Sequence, residues 1–407
     1  MTHPAPTELP DIISVDDHLI EPPDLWRDDA PASLANRVPR VERGRARFTY
    51  RGGVFSAERC DDDETAAECD WWVYDGTLLP TTRVASAMSW PIDERTMEPA
   101  TFDEMRPGCF DPRARLADMD LGGIGASVCF PTMPRFCGQT FSEAEDRDLA
   151  LWCVQRWNDW VLDEWCGTDR ARLLPLSIVP LWDPKLAAAE VRRMADRGAV
   201  TVAFSENPAA LGLPSIHSGL WDPFIAACDE TDTVVSMHIG SSSKMPSTSA
   251  DAPPLVASSL THLNAVGTMC DWILSGTFER FEHVRIALSE GQVGWMPFQL
   301  ERLDQVWAHN RAWGGVELPS PPSSYVAGRI YGCIFDDRHG LANRDVIGME
   351  QIMFETDFPH ADSTWPNCRD VAAALVRDAA LDDREAHALV RGNAVECYRL
   401  DRLGIAP

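Results

Sequence analysis

The chain is poor in basic residues and lacks several patterns that mark common protein classes. It has 36 Lys and Arg against 63 Asp and Glu, and this net charge of −27 disfavours contact with nucleic acid or an anionic membrane. No apolar run approaches the roughly 18 residues of a membrane span, and the 12 Cys form no C-x-x-C pair that would indicate a zinc knuckle. We therefore expect a soluble, cytoplasmic protein that acts on a small molecule, with no nucleic-acid or membrane partner.

The length and the order of apolar segments predict the fold. A chain of 407 residues with 45% hydrophobic content can bury a large core, and roughly 250 residues suffice for a (β/α)8 barrel. From Pro112 onward, short apolar strand patterns alternate with helical patterns, which is typical of a parallel sheet. We predict a TIM barrel as one domain over residues 1–407. The segment 24–110 is predicted to be a long insertion after the first strand.

Several predicted strands end on residue types that bind metals. Residues Asp16 and His18 end the first strand, and residues i and i+2 of a strand share a face, so both can bind one ion. Carboxyl ends of parallel strands meet at one mouth of a barrel, where active sites lie. The other predicted metal ligands follow later strands: Glu206, His238, Glu290 and Asp357.

Longer segments resemble the amidohydrolase-related family, which includes metal-dependent decarboxylases of aromatic acids. They are Val15–Trp26, Ala117–Asp120, Trp157–Trp160, Ser289–Gly291 with Gly294–Pro297, and Thr356–His360 with Thr364–Pro366. The resemblance implies that the first-strand pair, His238 on the fifth strand and Asp357 on the eighth are metal ligands. It also implies a bridging role for Glu206 on the fourth strand. At the sixth strand this chain has Glu290, where the decarboxylases have the histidine of a His-Gly-Gly motif.

Four carboxylates with two imidazoles form a hard, negatively charged ligand set. Such a set favours iron or manganese over zinc, and we expect two divalent ions, Fe/Fe or Mn/Fe, with zinc as the alternative. This set resembles that of the family's dinuclear hydroxylases. The favoured function is therefore O2-dependent hydroxylation of a small organic substrate by a monooxygenase, with Asp357, Glu290 and His360 as catalytic residues.

Other interpretations remain open at this point. A bridging hydroxide could hydrolyse a C–N or C–O bond, or one ion could support non-oxidative decarboxylation. A non-catalytic subunit is a further possibility, and we expect a homo-oligomer or an assembly with a paralogous subunit. Glu290 could instead pair with Arg302, and Glu206 could belong to a solvated turn. The remaining histidines are expected to be structural or at the surface: His3, His217, His262, His283, His309, His339 and His387.

Overall fold

Across residues 9–407, thirteen strands form a parallel barrel and a separate antiparallel sheet. The computed structural model describes residues 9–407, so the expectation for His3 lies outside the described residues. In chain order the strands are β1 (Ile12–His18), β2 (Arg40–Arg51), β3 (Val54–Arg59), β4 (Ala67–Tyr74), β5 (Thr77–Pro80), β6 (Ile124–Phe130), β7 (Leu173–Leu174), β8 (Leu176–Ser177), β9 (Thr201–Ala203), β10 (Val234–His238), β11 (Ile286–Ser289), β12 (Ile330–Ile334) and β13 (Ile352–Phe354).

The parallel strands confirm the predicted TIM barrel. Strands β1, β6 and β7 are hydrogen-bonded in that order, and strands β8 to β13 are hydrogen-bonded in sequence order. The short segments β7 and β8 together occupy the position of the third barrel strand. The barrel closes between its last and first strands, where the Asp357 amide donates to the Asp16 carbonyl at 2.9 Å. The His18 amide likewise donates to the Phe358 carbonyl at 2.7 Å. Closure brings the ends of β1 and β13 side by side.

Helices separate the barrel strands, and aspartates begin several of them. The side chain of Asp111 accepts a hydrogen bond from the Ala114 amide at 2.8 Å, and Asp146 and Asp183 cap two later helices in the same way. The helices are α1 (Pro112–Gly122), α2 (Gln139–Glu143), α3 (Arg147–Trp160), α4 (Pro184–Ala195), α5 (Asp222–Thr231), α6 (Pro254–Leu260), α7 (His262–Leu274), α8 (Thr277–Arg280), α9 (Met296–Asn310), α10 (Arg338–Ala342), α11 (Arg344–Ile347), α12 (Cys368–Asp378), α13 (Asp383–His387) and α14 (Asn393–Tyr398).

Strands β2 to β5 lie between the first and second barrel strands, in the segment predicted to be an insertion. They form an antiparallel sheet in the order β3-β2-β4-β5. The β2–β3 hairpin turns at Gly52 and Gly53, whose φ values of 59° and 84° suit a two-residue turn that requires a left-handed backbone. Trp71 and Trp72 on β4 are buried, so this aromatic segment is part of the packed interior.

The barrel strands are buried along nearly their whole length. Apolar side chains of β1, β6 and β10 to β13 pack with the helices in one large core, as expected for a parallel sheet covered on its outer face. This rigid frame holds the strand ends that carry the polar residues. Within residues 9–407, no helix has the length and apolar character that crossing a membrane requires.

Candidate metal centre

At the end of β1, successive side chains point to opposite faces of the strand. Asp16 and His18 lie on the same side, with His18 Nε2 3.5 Å from Asp16 Oδ1, as the i, i+2 spacing predicts. Asp17, between them, points away and accepts hydrogen bonds from Thr356 Oγ1 at 2.6 Å and the Phe358 amide at 3.0 Å. Asp17 therefore fastens the first strand to the segment that follows the last one.

His238 is the last residue of β10 and presents one ring nitrogen to the cluster. Its Nδ1 lies 2.5 Å from the carbonyl oxygen of Ile239, so Nδ1–H donates there and Nε2 is left with a free lone pair. The ring of Phe136, from the loop after β6, stacks on this imidazole with a centroid distance of 4.1 Å and an interplanar angle of 6°. These two contacts fix the orientation of Nε2.

Glu290 and Asp357 follow β11 and β13 in an unusual backbone conformation. Their φ values are 55° and 52°, a left-handed region that costs non-glycine residues energy and is concentrated at functional sites. Glu290 Oε1 lies 3.6 Å from His238 Nε2. His360, three residues after Asp357, places Nδ1 3.0 Å from Asp357 Oδ1. The strand ends thus turn their side chains inward.

These ligand atoms converge on one small volume. His18 Nε2 lies 3.3 Å from Asp357 Oδ1 and 3.2 Å from His238 Nε2, while His238 Nε2 is 3.6 Å from Asp16 Oδ2. Four residues each place one possible ligand atom within 4.8 Å of those of the other three: His18, His238, Glu290 and His360. The cluster could hold a metal ion.

The carboxylates give a direct test of whether a cation fits. Both side-chain oxygens of Asp16 and of Asp357 are buried and accept no hydrogen bond from any residue in the described part of the chain. Buried carboxylate oxygens without partners are costly, whereas a divalent ion coordinated by them and by facing imidazole nitrogens removes that cost. The donor set therefore fits a metal ion.

Crowding of like groups perturbs the acids and imidazoles of the cluster. Burial and the neighbouring acids Glu355 and Glu290 raise the pKa of Asp16 well above its ordinary value. Burial tends to raise the pKa of Glu290, but the positive charge that His238 carries when it is protonated, together with that of His360, lowers that pKa to about 2. Burial lowers the pKa of His360 to about 4. Burial and the close approach of several acids therefore shift the pKa values of the cluster away from their ordinary values.

Glu206, predicted as a metal ligand, is not one of the four residues whose ligand atoms lie within 4.8 Å of one another. Its Oε1 accepts hydrogen bonds from the Gly240 amide at 2.9 Å, from Ser242 Oγ at 2.7 Å and from Asn264 Nδ2 at 2.8 Å. The carboxylate holds the loop after β10 to helix α7. The other predicted site residues are gathered in the cluster: Asp16, His18, His238, Glu290, Asp357 and His360.

The sequence analysis missed two residues of this region. Glu355 is fully buried, and its Oε2 accepts a hydrogen bond from the Glu290 amide at 3.1 Å. Its spacing of two from Asp357 repeats that of Asp16 and His18, and this signal could have identified it. Phe136 carries no such signal, because a loop aromatic has no spacing rule that relates it to a distant imidazole.

Comparisons with known proteins agree with this architecture. The family model described as Amidohydrolase matches residues 29–400. A γ-resorcylate decarboxylase of Rhizobium sp. (strain MTP-10005) is 27% identical over 293 residues, which cover 64% of this chain and 81% of that protein.

Two solved structures share the fold. An amidohydrolase from Mycobacterium avium subsp. paratuberculosis K-10 has a TM-score of 0.66 at 20% identity, covering 96% of this chain and 99% of its own. The 5-carboxyvanillate decarboxylase of Novosphingobium aromaticivorans DSM 12444, complexed with manganese and 4-hydroxy-3-methoxy-5-nitrobenzoic acid, has a TM-score of 0.61 at 16% identity and covers 96% of each chain.

These similarities correct one expectation from the sequence. The favoured reaction, O2-dependent hydroxylation by a monooxygenase, is wrong, because the similar proteins of stated activity are non-oxidative decarboxylases. The resemblance to dinuclear hydroxylases is likewise unsupported. The physical reason is that ligand types such as Asp16 and Glu290 determine which ion a site prefers, but not which substrate bond is broken.

Proposed function

The chain belongs to the amidohydrolase family, and on this premise we propose that it is a metal-dependent, non-oxidative decarboxylase of a small aromatic carboxylic acid. The observation that carries the proposal is the cluster of imidazoles and unpartnered carboxylates at the mouth of the barrel. The decarboxylase activity stated for the similar proteins supports the choice of reaction.

We propose that Asp16, His18, His238 and Asp357 hold a divalent ion, with Glu290 beside them. Manganese, bound in one of the similar structures, suits a set of carboxylates and imidazoles. Such an ion supplies a positive charge that binds the carboxylate of the substrate. The surplus of acids, with Glu355 buried next to Glu290, supports a second ion, iron or manganese, as the finer proposal.

Decarboxylation needs a proton for the carbon atom that loses CO2. The bond between that carbon and the carboxyl group breaks, CO2 leaves, and the electron pair that stays on carbon takes up a proton. We assign its delivery to His360, whose Nδ1 lies 3.0 Å from Asp357 Oδ1 within the cluster. Burial lowers the pKa of His360 to about 4, so the imidazole is neutral near pH 7 and must first take up, from the substrate or from solvent, the proton that it delivers to carbon.

His360 can also replace the histidine that is absent after the sixth strand. The resemblance to the family's decarboxylases implies a histidine after the sixth strand, where this chain has Glu290. The ring of His360 stacks on His18 with a centroid distance of 3.6 Å, beside Glu290 in the cluster. An imidazole from the loop after the eighth strand thus supports the same chemistry from a neighbouring position.

The test is a decarboxylation assay on protein loaded with Mn²⁺. Incubation with 2,6-dihydroxybenzoate and with 5-carboxyvanillate, followed by chromatography, is expected to show one phenolic product that has lost CO2. The rate should be the same under nitrogen and in air. The exposed His309 offers a matched control, because H309Q should retain the rate while H360Q loses it. Consumption of the acid that requires O2, or no turnover of any hydroxybenzoate with any divalent ion, would refute the proposal.

A further inference from the structure

Phe136 lies against the metal centre rather than in the apolar interior. It belongs to none of the hydrophobic clusters formed by residues 9–407. Its aromatic neighbours in this part of the chain are three imidazoles of the metal centre. The ring stacks on His238 with a centroid distance of 4.1 Å, and it stands edge-on to His18 at 5.6 Å and to His360 at 6.4 Å. Core packing therefore does not account for a phenylalanine at this position, and its contacts indicate a role at the site.

The exposure of the side chains shows from which side a substrate can reach the cluster. The side chains of Asp16 and His18 are 0% exposed, whereas those of Glu290 and His360 are 14% and 18% exposed. Phe136 is partly exposed as well. The buried residues form the floor of the site, and Glu290, His360 and Phe136 border its open side. A substrate therefore approaches the cluster past these three residues.

Phe136 and His360 are close enough to contact the same substrate molecule. Their ring centroids are 6.4 Å apart, with an interplanar angle of 76°. Aromatic rings contact one another at centroid distances of about 4.5–7 Å, so a substrate ring that touches His360 and directs its carboxylate to the cluster also lies within reach of Phe136. One face of the Phe136 ring is covered by His238. The contact with the substrate is therefore expected at the opposite face or at the ring edge.

The backbone that carries Phe136 is fastened on both sides of this residue. The Met133 amide donates to Glu21 Oε2 at 2.8 Å, and Gln139 Nε2 donates to the Ser241 carbonyl at 2.6 Å. Glu21 and Ser241 belong to the segments that follow β1 and β10, the two strands whose last residues are in the cluster. The ring is therefore held in place before a substrate arrives, which lowers the entropic cost of the contact.

From these contacts, we propose that Phe136 is a specificity-determining residue that contacts the ring of the substrate and favours a planar aromatic acid over a saturated one. The inference rests on the proposed function, because it places the carboxylate of the substrate at the metal centre. An aromatic pair strengthens binding by about two- to tenfold beyond what burial of the same area provides. A saturated ring is puckered and has no π face, so it gains from burial alone.

Calorimetric titration of the Mn²⁺-loaded protein tests this proposal with benzoate and cyclohexanecarboxylate, which carry the same carboxylate on a flat and on a puckered ring. We expect the parent to bind benzoate more tightly. F136L keeps an apolar side chain but removes the π face, so the ratio of the two affinities should fall by about two- to tenfold. F136Y keeps the ring and should retain the ratio. Phe298 on α9 is 72% exposed, and the matched control F298L should bind both acids as the parent does.

Metal content and turnover, measured on the same preparations, separate the possible outcomes. A lowered affinity ratio in F136L with the metal retained supports the proposal. Loss of the metal from F136L would overturn it, because Phe136 would then act only by holding His238. An unchanged ratio in F136L, while the parent decarboxylates its substrate, would overturn the role of Phe136 alone. Absence of binding of both acids by the parent would overturn the proposed function and this inference together. F136V also removes the ring and gives the same test if F136L does not fold.

Discussion

Replacement of Glu21 by glutamine should change how stability depends on pH. Glu21 follows β1 and is fully buried. Its Oε1 accepts hydrogen bonds from the Trp157 indole at 2.9 Å and the Thr132 amide at 3.2 Å, and its Oε2 accepts from the Met133 amide at 2.8 Å. Despite these bonds, burial raises the pKa of Glu21 to about 7. The bonds from the Thr132 and Met133 amides attach Glu21 to the start of the loop that carries Phe136.

The size and sign of the effect follow from the two pKa values. The carboxyl group has a pKa near 4.5 in the unfolded chain and about 7 when folded, which corresponds to ~3 kcal/mol. Because the folded state binds the proton more tightly, this stabilisation is complete below pH 4.5 and is lost as the pH rises through 7. Glutamine does not titrate. Its NH2 group also leaves one amide donor unpaired, at a constant cost of roughly 1–3 kcal/mol.

Urea unfolding of the metal-loaded parent and E21Q, at pH 5 and at pH 8.5, measures this difference. At pH 5 the parent should be more stable, and by pH 8.5 the difference in unfolding free energy should have shifted by ~2.5 kcal/mol toward the variant, because part of the stabilisation is already lost at pH 5. Contributions from all other titrating groups cancel in the comparison. A difference that stays constant between the two pH values would refute the assignment of a buried, neutral carboxyl group to Glu21.

Three further predictions concern the metal centre and one helix. H360Q should lower the decarboxylation rate by roughly 10²- to 10⁴-fold, the usual contribution of a general acid, while elemental analysis finds the metal retained; loss of the metal would instead make His360 a ligand. D16A should remove the bound metal and lower the melting temperature of the purified protein, and an unchanged metal content would contradict the ligand assignment. D382A breaks the capping box in which Asp382 and Glu385 bond reciprocally at the start of α13; thermal unfolding should show a loss of about 1 kcal/mol, and none if the cap is dispensable.

Strand pattern and residue spacing were enough to predict the barrel and most of the cluster. His238 is the last residue of β10 as expected, and Asp16 and His18 lie at the end of β1. The i, i+2 rule placed Asp16 and His18 on one side because it depends on backbone geometry alone. These predictions needed no knowledge of the loops.

Loops limited what the sequence could reveal about the site. Glu206 stands three residues beyond β9, and hydrogen bonds to the neighbouring loop, which no local pattern encodes, turn its carboxylate toward α7. Phe136 reaches His238 from another loop for the same reason. A strand fixes the direction of its side chains, whereas a loop residue takes its direction from distant partners.

Glu290 and His360 show why the reaction was harder to infer than the fold. Read singly, Glu290 in place of the sixth-strand histidine disfavours decarboxylation. Once the barrel has closed, however, the loops after β11 and β13 face the same volume, and the left-handed backbone at Glu290 and Asp357 turns both chains toward it. An imidazole absent from one strand end can then be supplied six residues beyond the end of another strand. The reaction depends on how the strand ends and loops assemble around a substrate, so counting residue types strand by strand indicates a metal site more readily than it indicates which bond is broken.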